Sequence, residues 1–326
     1  MLPFSYTRAA DGDAAIAAGA LPGAKFLAGG TNLVDLMKGG VEAPQALIDI
    51  SRLPLAGISA LQQGGVRIGA LARNSDTADH PVIRSRYPLL SRALLSGATP
   101  QLRNAATVGG NILQRTRCHY FYDPGFQMCN KRNPGSGCAA LEGHNRMHAL
   151  FGASAHCVAT HPSDMCVALS ALDALVRLRS AAGERAVAML DFHRLPGDEP
   201  HIETRLVPGE LIVSVDLPAS SFVKHCAYLK VRDRASFAFA LVSVAIALDV
   251  REGLIHEARI AMGGVAHKPW RAFGAEQLLV GAPVDAAPFA EAAGAAVEGA
   301  RALKHNAFKI DLARRAVLRA LRIAQS

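Results

Sequence analysis

The sequence predicts a mixed α and β chain of two or three packed units, and three observations carry that reading. At 326 residues the chain exceeds what one comfortable hydrophobic core serves. Its first 50 residues alternate short helical and strand patterns, as a small α/β unit does. After Pro218 three apolar strand patterns follow in succession and helical patterns come next, which places a domain boundary near Ser220.

Taken in order, the first unit reads as a helix around Asp13 to Ala18, a strand at KFLA (Lys25 to Ala28), a turn at Gly29 and Gly30, a helix at NLVDLMK and a strand at ALIDI. GISALQQGGVRIGAL reads as a hairpin about a Gly-Gly turn. An amphipathic stretch runs from Asp76 to Leu95, interrupted by Pro81 and Pro88. Arg103 to Asn111 is loop-like, and the text after it shows little periodicity to about Ala155. A loop of that length is functional or disordered. It lacks the long charged runs of disorder, so something is expected to order it. Regular pattern returns with HCVAT, then PSDMCVALSALDA as a helix capped by Ser163, ALVRLRS and RAVAML as a hairpin around AAGE, and ELIVSVDLP as a strand. AYLKVR, ALVSVAIALDV and LIHEARIAM read as a three-strand meander, and helices are expected at Pro288 to Leu303 and Asp311 to Ala324.

Composition narrows the function. The formal net charge is +8, but only 19% of residues are charged and basic groupings are short. That argues against a nucleic-acid tail and leaves room for anionic cofactors and acidic partner surfaces. The first residues lack a basic region followed by an apolar run, and nowhere do 18 apolar residues occur in a row. The expectation is a chain with no secretory signal or membrane span of its own. Six cysteines are too few for a disulfide scaffold, and four of them crowd between Cys118 and Cys157. With no G-x-S-x-G, no H-E-x-x-H and no carboxylate pair placed for acid and base work, electron transfer is expected rather than acid-base catalysis.

Two segments share a design, FLAGGTNLVDLM (Phe26 to Met37) and NAATVGGNIL (Asn104 to Leu113). Each sets a Gly-Gly pair beside Thr and Asn after apolar residues. Glycine permits positive φ and close backbone approach, so N–H groups can converge on phosphate oxygens while Thr and Asn add side-chain donors. Two such loops would grip a diphosphate from two sides. Neither fits the Rossmann or P-loop pattern.

These motifs, with the SD of HPSDMCVAL and the run YLKVRDRASFAFALVSVAIAL, resemble the FAD-binding medium subunit of the molybdenum hydroxylases, the xanthine dehydrogenase and aldehyde oxidoreductase family. The resemblance spans essentially the whole chain. It implies an α+β fold: a two-subdomain FAD-binding domain at 1–220, with subdomains of about 1–53 and 54–220, then a domain at 221–326 with a three-stranded antiparallel sheet and helices. It also implies that Lys25, Phe26, Leu27, Ala28, Gly29, Gly30, Thr31, Asn32 and Leu33 form the first diphosphate loop, and that Thr107, Gly110 and Asn111 belong to the second. Asp164 matches an acidic contact to the flavin or its ribityl chain; on spacing alone it is equally a helix N-terminal carboxylate stabilised by the dipole. Lys230 matches a position near the isoalloxazine where a cation favours the reduced ring, although a lysine alternating with apolar strand residues ordinarily marks a solvated face. Ile212 matches an apolar flavin contact and on pattern alone reads as core.

Cys118, Cys129, Cys138 and Cys157 have ten, eight and eighteen residues between them. That is not the tight spacing of zinc ribbons or ferredoxins. Arg115, Arg117, Lys131 and Arg132 would offset the charge of a thiolate-ligated cluster. A [4Fe–4S] cluster needs four Cys and no fixed spacing when a long loop wraps it, so on spacing alone a cluster, a zinc ion and fortuitous thiols all stay open. His119, His144, His148 and His156 could each replace a thiol. Resemblance decides for the cluster. A subset of the family, including bacterial aldehyde oxidoreductases, carries a cysteine-bearing insertion with a [4Fe–4S] cluster, and residues of about 114–160 look like it. Cys166, in an apolar helix pattern, and Cys226, at a strand edge, are left as structural thiols.

The function so implied is the FAD and [4Fe–4S] electron-transfer subunit of a heterotrimeric molybdenum-dependent aldehyde oxidoreductase. A large partner subunit would hold the molybdenum cofactor and a small one two [2Fe–2S] clusters. Assembly is expected in the cytoplasm, with export only on a partner's signal. The competing readings are the flavin subunit of another molybdenum hydroxylase, acting on an aromatic acyl-CoA or N-heterocycle, and a non-enzymatic metal-stabilised nucleotide-binding scaffold.

Overall fold

The structure is a computed structural model and describes residues 1–325. Its first unit runs β1 (Ser5–Arg8), α1 (Gly12–Gly19), β2 (Ala24–Leu27), α2 (Leu33–Lys38) and β3 (Ala46–Asp49). The three strands form a parallel sheet in the order β1-β3-β2, and Ala15, Ile16, Ile48 and Ile50 close its core. Parallel neighbours need crossovers, and the two short helices supply them.

The second unit begins with β4 (Ile58–Ala60) and β5 (Val66–Gly69), the expected hairpin. Then come α3 (Asn74–Asp79), α4 (Pro81–Arg86), α5 (Pro88–Ser96), α6 (Pro100–Ala105), α7 (Val108–Ile112) and α8 (His119–Tyr122). Pro81 and Pro88 each open a helix, where the missing N–H costs nothing. Residues 123–163 carry no helix or strand, as the sequence suggests, and HCVAT is not a strand. After them follow α9 (Asp164–Ala171), β6 (Leu175–Ser180), β7 (Gly183–Ala188), α10 (Met189–Phe192) and β8 (Leu211–Leu217). The strands form an antiparallel sheet in the order β4-β5-β8-β6-β7.

The third unit contains β9 (His225–Val231), β10 (Val242–Arg251), β11 (Leu254–Gly263), β12 (Trp270–Arg271), α11 (Phe273–Leu279), α12 (Ala286–Ala295) and α13 (Phe308–Gln325). Its sheet is four-stranded, in the order β12-β11-β10-β9. The expected meander is present, and a two-residue strand too short to leave a pattern adds an edge. Strand β10 is buried on both faces, which is why it reads as a continuous apolar run. Val244, Ile246 and Leu248 pack towards the C-terminal helices. The smaller Ala245 and Ala247 face the core shared with α5 and α9, where the two units meet.

The stretch from Arg103 to Asn111, expected as loop, contains the second half of α6 and most of α7. Thr99 and Thr107 cap them by accepting from Leu102 N (3.4 Å) and Gly110 N (3.2 Å). Two glycines inside a five-residue helix hide it from propensity.

Candidate functional site

A cavity of about 650 Å³ lies where the first unit, the second sheet and the cysteine segment meet. That volume is in the range of cofactor sites. Residues Lys25 to Leu33, Thr107, Gly110 and Ile212 all line it. Asn111, Asp164 and Lys230, expected beside them, lie off its wall.

The two glycine loops touch. A Cβ on Gly29 would overlap the carbonyl oxygen of Ala105, two residues before Thr107, so only glycine permits this approach. Gly30 takes φ +70°. Among the described residues, the N–H groups of Gly29, Gly30, Thr31 and Asn32 have no partner within the protein. They are free donors on a cavity wall, the chemistry that holds a diphosphate. The second loop differs from expectation. Val108 N donates to Ala72 O, Gly109 N to Ala70 O, Gly110 N to Thr107 Oγ1 and Asn111 N to Thr107 O. It therefore contributes a Cβ-free surface at the exposed Gly110 rather than a second set of donors. Asn32 faces the protein as well: its Oδ1 accepts from Arg115 N (3.0 Å), and its Nδ2 donates to Tyr122 OH (3.3 Å).

Off the cavity, Asn111 Oδ1 accepts from Ser163 Oγ (2.6 Å), and Ser163 caps α9. Asp164 follows, and Lys230 pairs with it at 2.7 Å, with side chains 7% and 6% exposed. Lys230 Nζ also donates to Ser96 O (3.1 Å), and Tyr228 OH donates to Asp164 Oδ1 (2.7 Å). Lys230 is thus a buried, paired cation and not a solvated face. Burial, and after it the Asp164 charge, raises the Tyr228 phenol well above its ordinary value. This network borders a small cleft of about 30 Å³, walled by Cys118, His148, Ser163 and Phe239. Thr116, Thr160 and His161 line both cleft and cavity, so the two are neighbours.

The cysteine segment gathers its four thiols. Cys129 and Cys138 sit on an antiparallel bridge, and Cys157 sits on another with Ser154. A hydrogen bond from Cys157 lowers the Cys138 thiol to about 6, while the same bond raises Cys157. Burial pushes Cys118 up to about 12, and the charges of Cys129 and Cys138 add to that. All six cysteines are free thiols; Cys166 and Cys226 are buried in the apolar core. His148 Nε2 lies 3.2 Å from Cys118 Sγ.

Charge pairs hold the segment against the cavity. Glu203 receives Lys131 (2.8 Å) and Arg115, which also reaches Glu42. Burial works to raise the Glu203 carboxyl, but the charges and hydrogen bonds of Lys131 and Arg115 prevail and hold it at about 2. The positive charge of Arg115 and Lys131, expected to offset a thiolate cluster, is therefore already compensated by carboxylates. Arg132 is spent on the Tyr120, Phe121 and Phe126 carbonyls. Sequence reading missed Glu203 and the buried His161, His193 and His267, which come from segments far apart in the chain and carry no local motif.

Comparison with known proteins agrees with this geometry. The family described as FAD binding domain in molybdopterin dehydrogenase matches residues 2–220, and CO dehydrogenase flavoprotein C-terminal domain matches residues 227–324. The chain is 56% identical over 281 residues, 86% of each chain, to the aldehyde oxidoreductase FAD-binding subunit PaoB of Escherichia coli (strain K12). It is 31% identical over 255 residues to the glyceraldehyde dehydrogenase medium chain of Sulfolobus acidocaldarius, covering 78% of this chain and 73% of that one. Among solved structures, quinoline 2-oxidoreductase from Pseudomonas putida 86 aligns with a TM-score of 0.76 at 26% identity, over 99% of this chain and 97% of its own. Carbon monoxide dehydrogenase from Hydrogenophaga pseudoflava aligns with a TM-score of 0.77 at 27% identity, over 99% and 98%. The free donors of the first glycine loop and these likenesses lead to one conclusion: the chain belongs to the FAD-binding medium-subunit family of the molybdenum hydroxylases, which are oxidoreductases.

Proposed function

We propose that this chain is the FAD and [4Fe–4S] electron-transfer subunit of a molybdenum-dependent aldehyde oxidoreductase. It would work with a large molybdenum-cofactor subunit and a small subunit bearing two [2Fe–2S] clusters. The observation that carries the reading is adjacency. Cys118 walls the cleft that shares Thr116, Thr160 and His161 with the glycine-loop cavity. The aldehyde class rests on the likeness to the aldehyde oxidoreductase subunit. FAD, when bound, supplies the exchange of electrons between the partner's clusters and an external acceptor.

The residues divide the work of holding it. The N–H groups of Gly29 to Asn32 bind diphosphate oxygens, Gly110 lets the ligand approach the backbone, and Ile212 gives an apolar wall. Asp164, fixed by Tyr228 and Lys230, offers a carboxylate of set orientation next to Ser163, which walls the cleft. Cys118, Cys129, Cys138 and Cys157 hold the cluster. Four sulfurs about 2.3 Å from one zinc crowd within about 4 Å of each other. Among the described residues, the one group of three or more His, Cys, Asp or Glu with ligand atoms all within 4.8 Å of one another is His161, Cys166 and His193. The four thiols are neighbours, with Cys138 and Cys157 sharing a hydrogen bond, although no three of them converge that closely. No helix of the described residues is long and apolar enough to cross a membrane.

Metal and sulfide analysis of the purified chain tests the reading. The expected result is one flavin with about four iron atoms and about four labile sulfides per chain. Cys129→Ser should lose most of the iron and Cys226→Ser none. One zinc with no sulfide would sink the cluster, and equal iron loss in both variants would sink the ligand assignment.

A further inference from the structure

Among the described residues, Cys118 alone of the four clustered thiols has a side-chain nitrogen within hydrogen-bond reach. That nitrogen is His148 Nε2, 3.2 Å from Cys118 Sγ. Both partners are held in place by the backbone around them. Cys118 caps α8, where its carbonyl accepts from Phe121 N (3.1 Å) and Tyr122 N (3.0 Å) and its own N–H donates to Thr116 Oγ1 (3.3 Å). His148 is 3% exposed. Its N–H donates to Asn145 O (3.1 Å), and its carbonyl accepts from Lys309 Nζ (2.8 Å) and Asn306 Nδ2 (3.1 Å). The sulfur is therefore set by α8 and the ring by the grip of the last helix and the turn before it.

The direction of this hydrogen bond follows from the chemistry of a ligating sulfur. A thiolate on iron has no proton and can only accept, so the ring must give its proton at Nε2. His148 Nδ1 is buried and has no partner. In a neutral ring the proton that Nδ1 lacks sits on Nε2, and Cys118 is the one group placed to receive it. A hydrogen bond to a charged acceptor is about twice as strong as a neutral one. Each electron added to an iron-sulfur cluster puts more negative charge on its sulfurs, so a fixed donor favours the reduced cluster over the oxidised one. Cys118 and His148 both wall the cleft that neighbours the glycine-loop cavity.

We propose that His148 is a positioning residue for the [4Fe–4S] cluster: its Nε2–H donates to the Cys118 sulfur and raises the cluster's reduction potential, on the side that faces the flavin cavity. The proposal rests on the cluster reading of the four cysteines. Its rival is a direct role, in which His148 replaces Cys118 as an iron ligand.

The test uses the full chain with flavin and cluster in place, reduced stepwise with dithionite and followed by the electron paramagnetic resonance of the reduced cluster. His148→Phe keeps a buried ring without an N–H, and His148→Gln keeps a donor. Iron and labile sulfide are expected to stay at the unmodified level in both. His148→Phe should shift the reduction equilibrium about tenfold towards the oxidised cluster, a potential lower by about 59 mV for one electron, with the flavin potential unmoved and His148→Gln recovering part of the shift. Should His148→Phe lose its cluster, the unmodified chain labelled with nitrogen-15 histidine decides by pulsed resonance: a weak coupling to one ring nitrogen and to one exchangeable proton is expected. An unmoved potential in an intact His148→Phe cluster, or no histidine coupling in the labelled chain, would overturn the proposal. So would the strong coupling of a ligated nitrogen together with full iron in Cys118→Ser, which would make His148 the ligand. Iron-free protein would instead overturn the cluster reading itself, a result separate from a cluster whose potential ignores His148.

Discussion

Gly29 and Gly110 are both cavity glycines, and they fail differently when a side chain is added. At Gly29 the new carbon meets the Ala105 carbonyl, so Gly29→Ala should disturb the packing of one loop on the other. At Gly110 it meets only Thr107 Oγ1, at 3.0 Å, and otherwise points into open space. Gly110→Val should therefore fold with unchanged circular dichroism and bind flavin at least about tenfold more weakly, because the branched side chain occupies ligand space. Full flavin retention in a folded variant would remove the second loop from the site. Glu203 gives a pH signature. Its carboxyl is held at about 2 against an ordinary 4.5, so the folded state binds its proton less readily than the unfolded chain does. The stabilisation is complete above about 4.5 and is lost as pH falls through about 2. Melting temperature measured across that window should drop more steeply for the unmodified chain than for Glu203→Gln. Parallel profiles would show that Glu203 is not ionised between Arg115 and Lys131.

At the scale of elements, the cysteine segment borrows its order from α13. Lys309 is fully buried and donates to the carbonyls of Met147 (3.3 Å), His148 (2.8 Å) and Gly264 (2.7 Å). Asn306 Nδ2 donates to the His148 and Ala149 carbonyls, and Asn145 Oδ1 accepts from His305 N. Lys309→Met keeps the length but strands three carbonyls, which should cost about 2–4 kcal/mol. Thermal melts would show the loss, and faster proteolysis between Cys138 and Cys157 would place it in the segment. Unchanged stability would mean that the carbonyls find water. None of this grip was legible in the sequence, where Lys309 falls just before the expected last helix and belongs to no pattern. The three long strands of the third unit were legible because apolar runs bounded by turns leave a local pattern. The helices α6 and α7 were not, because their order comes from threonine caps and tertiary packing rather than propensity. The candidate site divides along the same line. The first glycine loop announces itself in five letters, whereas Glu203 and the three histidines meet only when the chain folds.

Across the whole molecule, the paired carboxylates and cations around the cavity and cleft are committed to one another. Asp164 is paired with Lys230, and Glu203 sits between Arg115 and Lys131. His193 is held at about 4, so it is a poor base near neutrality. Adding an oxygen to an aldehyde requires an activated water and a group to take its proton, and these residues are placed to bind and orient instead. Where the units meet, Ala245 and Ala247 let β10 approach α5 and α9 closely. A Cβ on Gly263 would overlap Ser243 and Val167, so β11 approaches α9 just as closely. That packing ties the Lys230 strand to Asp164, and this chain's residues line the cavity. Flavin should therefore bind the isolated chain and be reduced there by a chemical donor, while aldehyde turnover should appear only when the molybdenum and [2Fe–2S] subunits are added. The measurement is flavin bleaching in two arms, dithionite and aldehyde, with and without those partners. Bleaching by aldehyde in the isolated, molybdenum-free chain would overturn the assignment of substrate chemistry to another subunit, and no bleaching by dithionite would overturn the flavin as an electron carrier in this one.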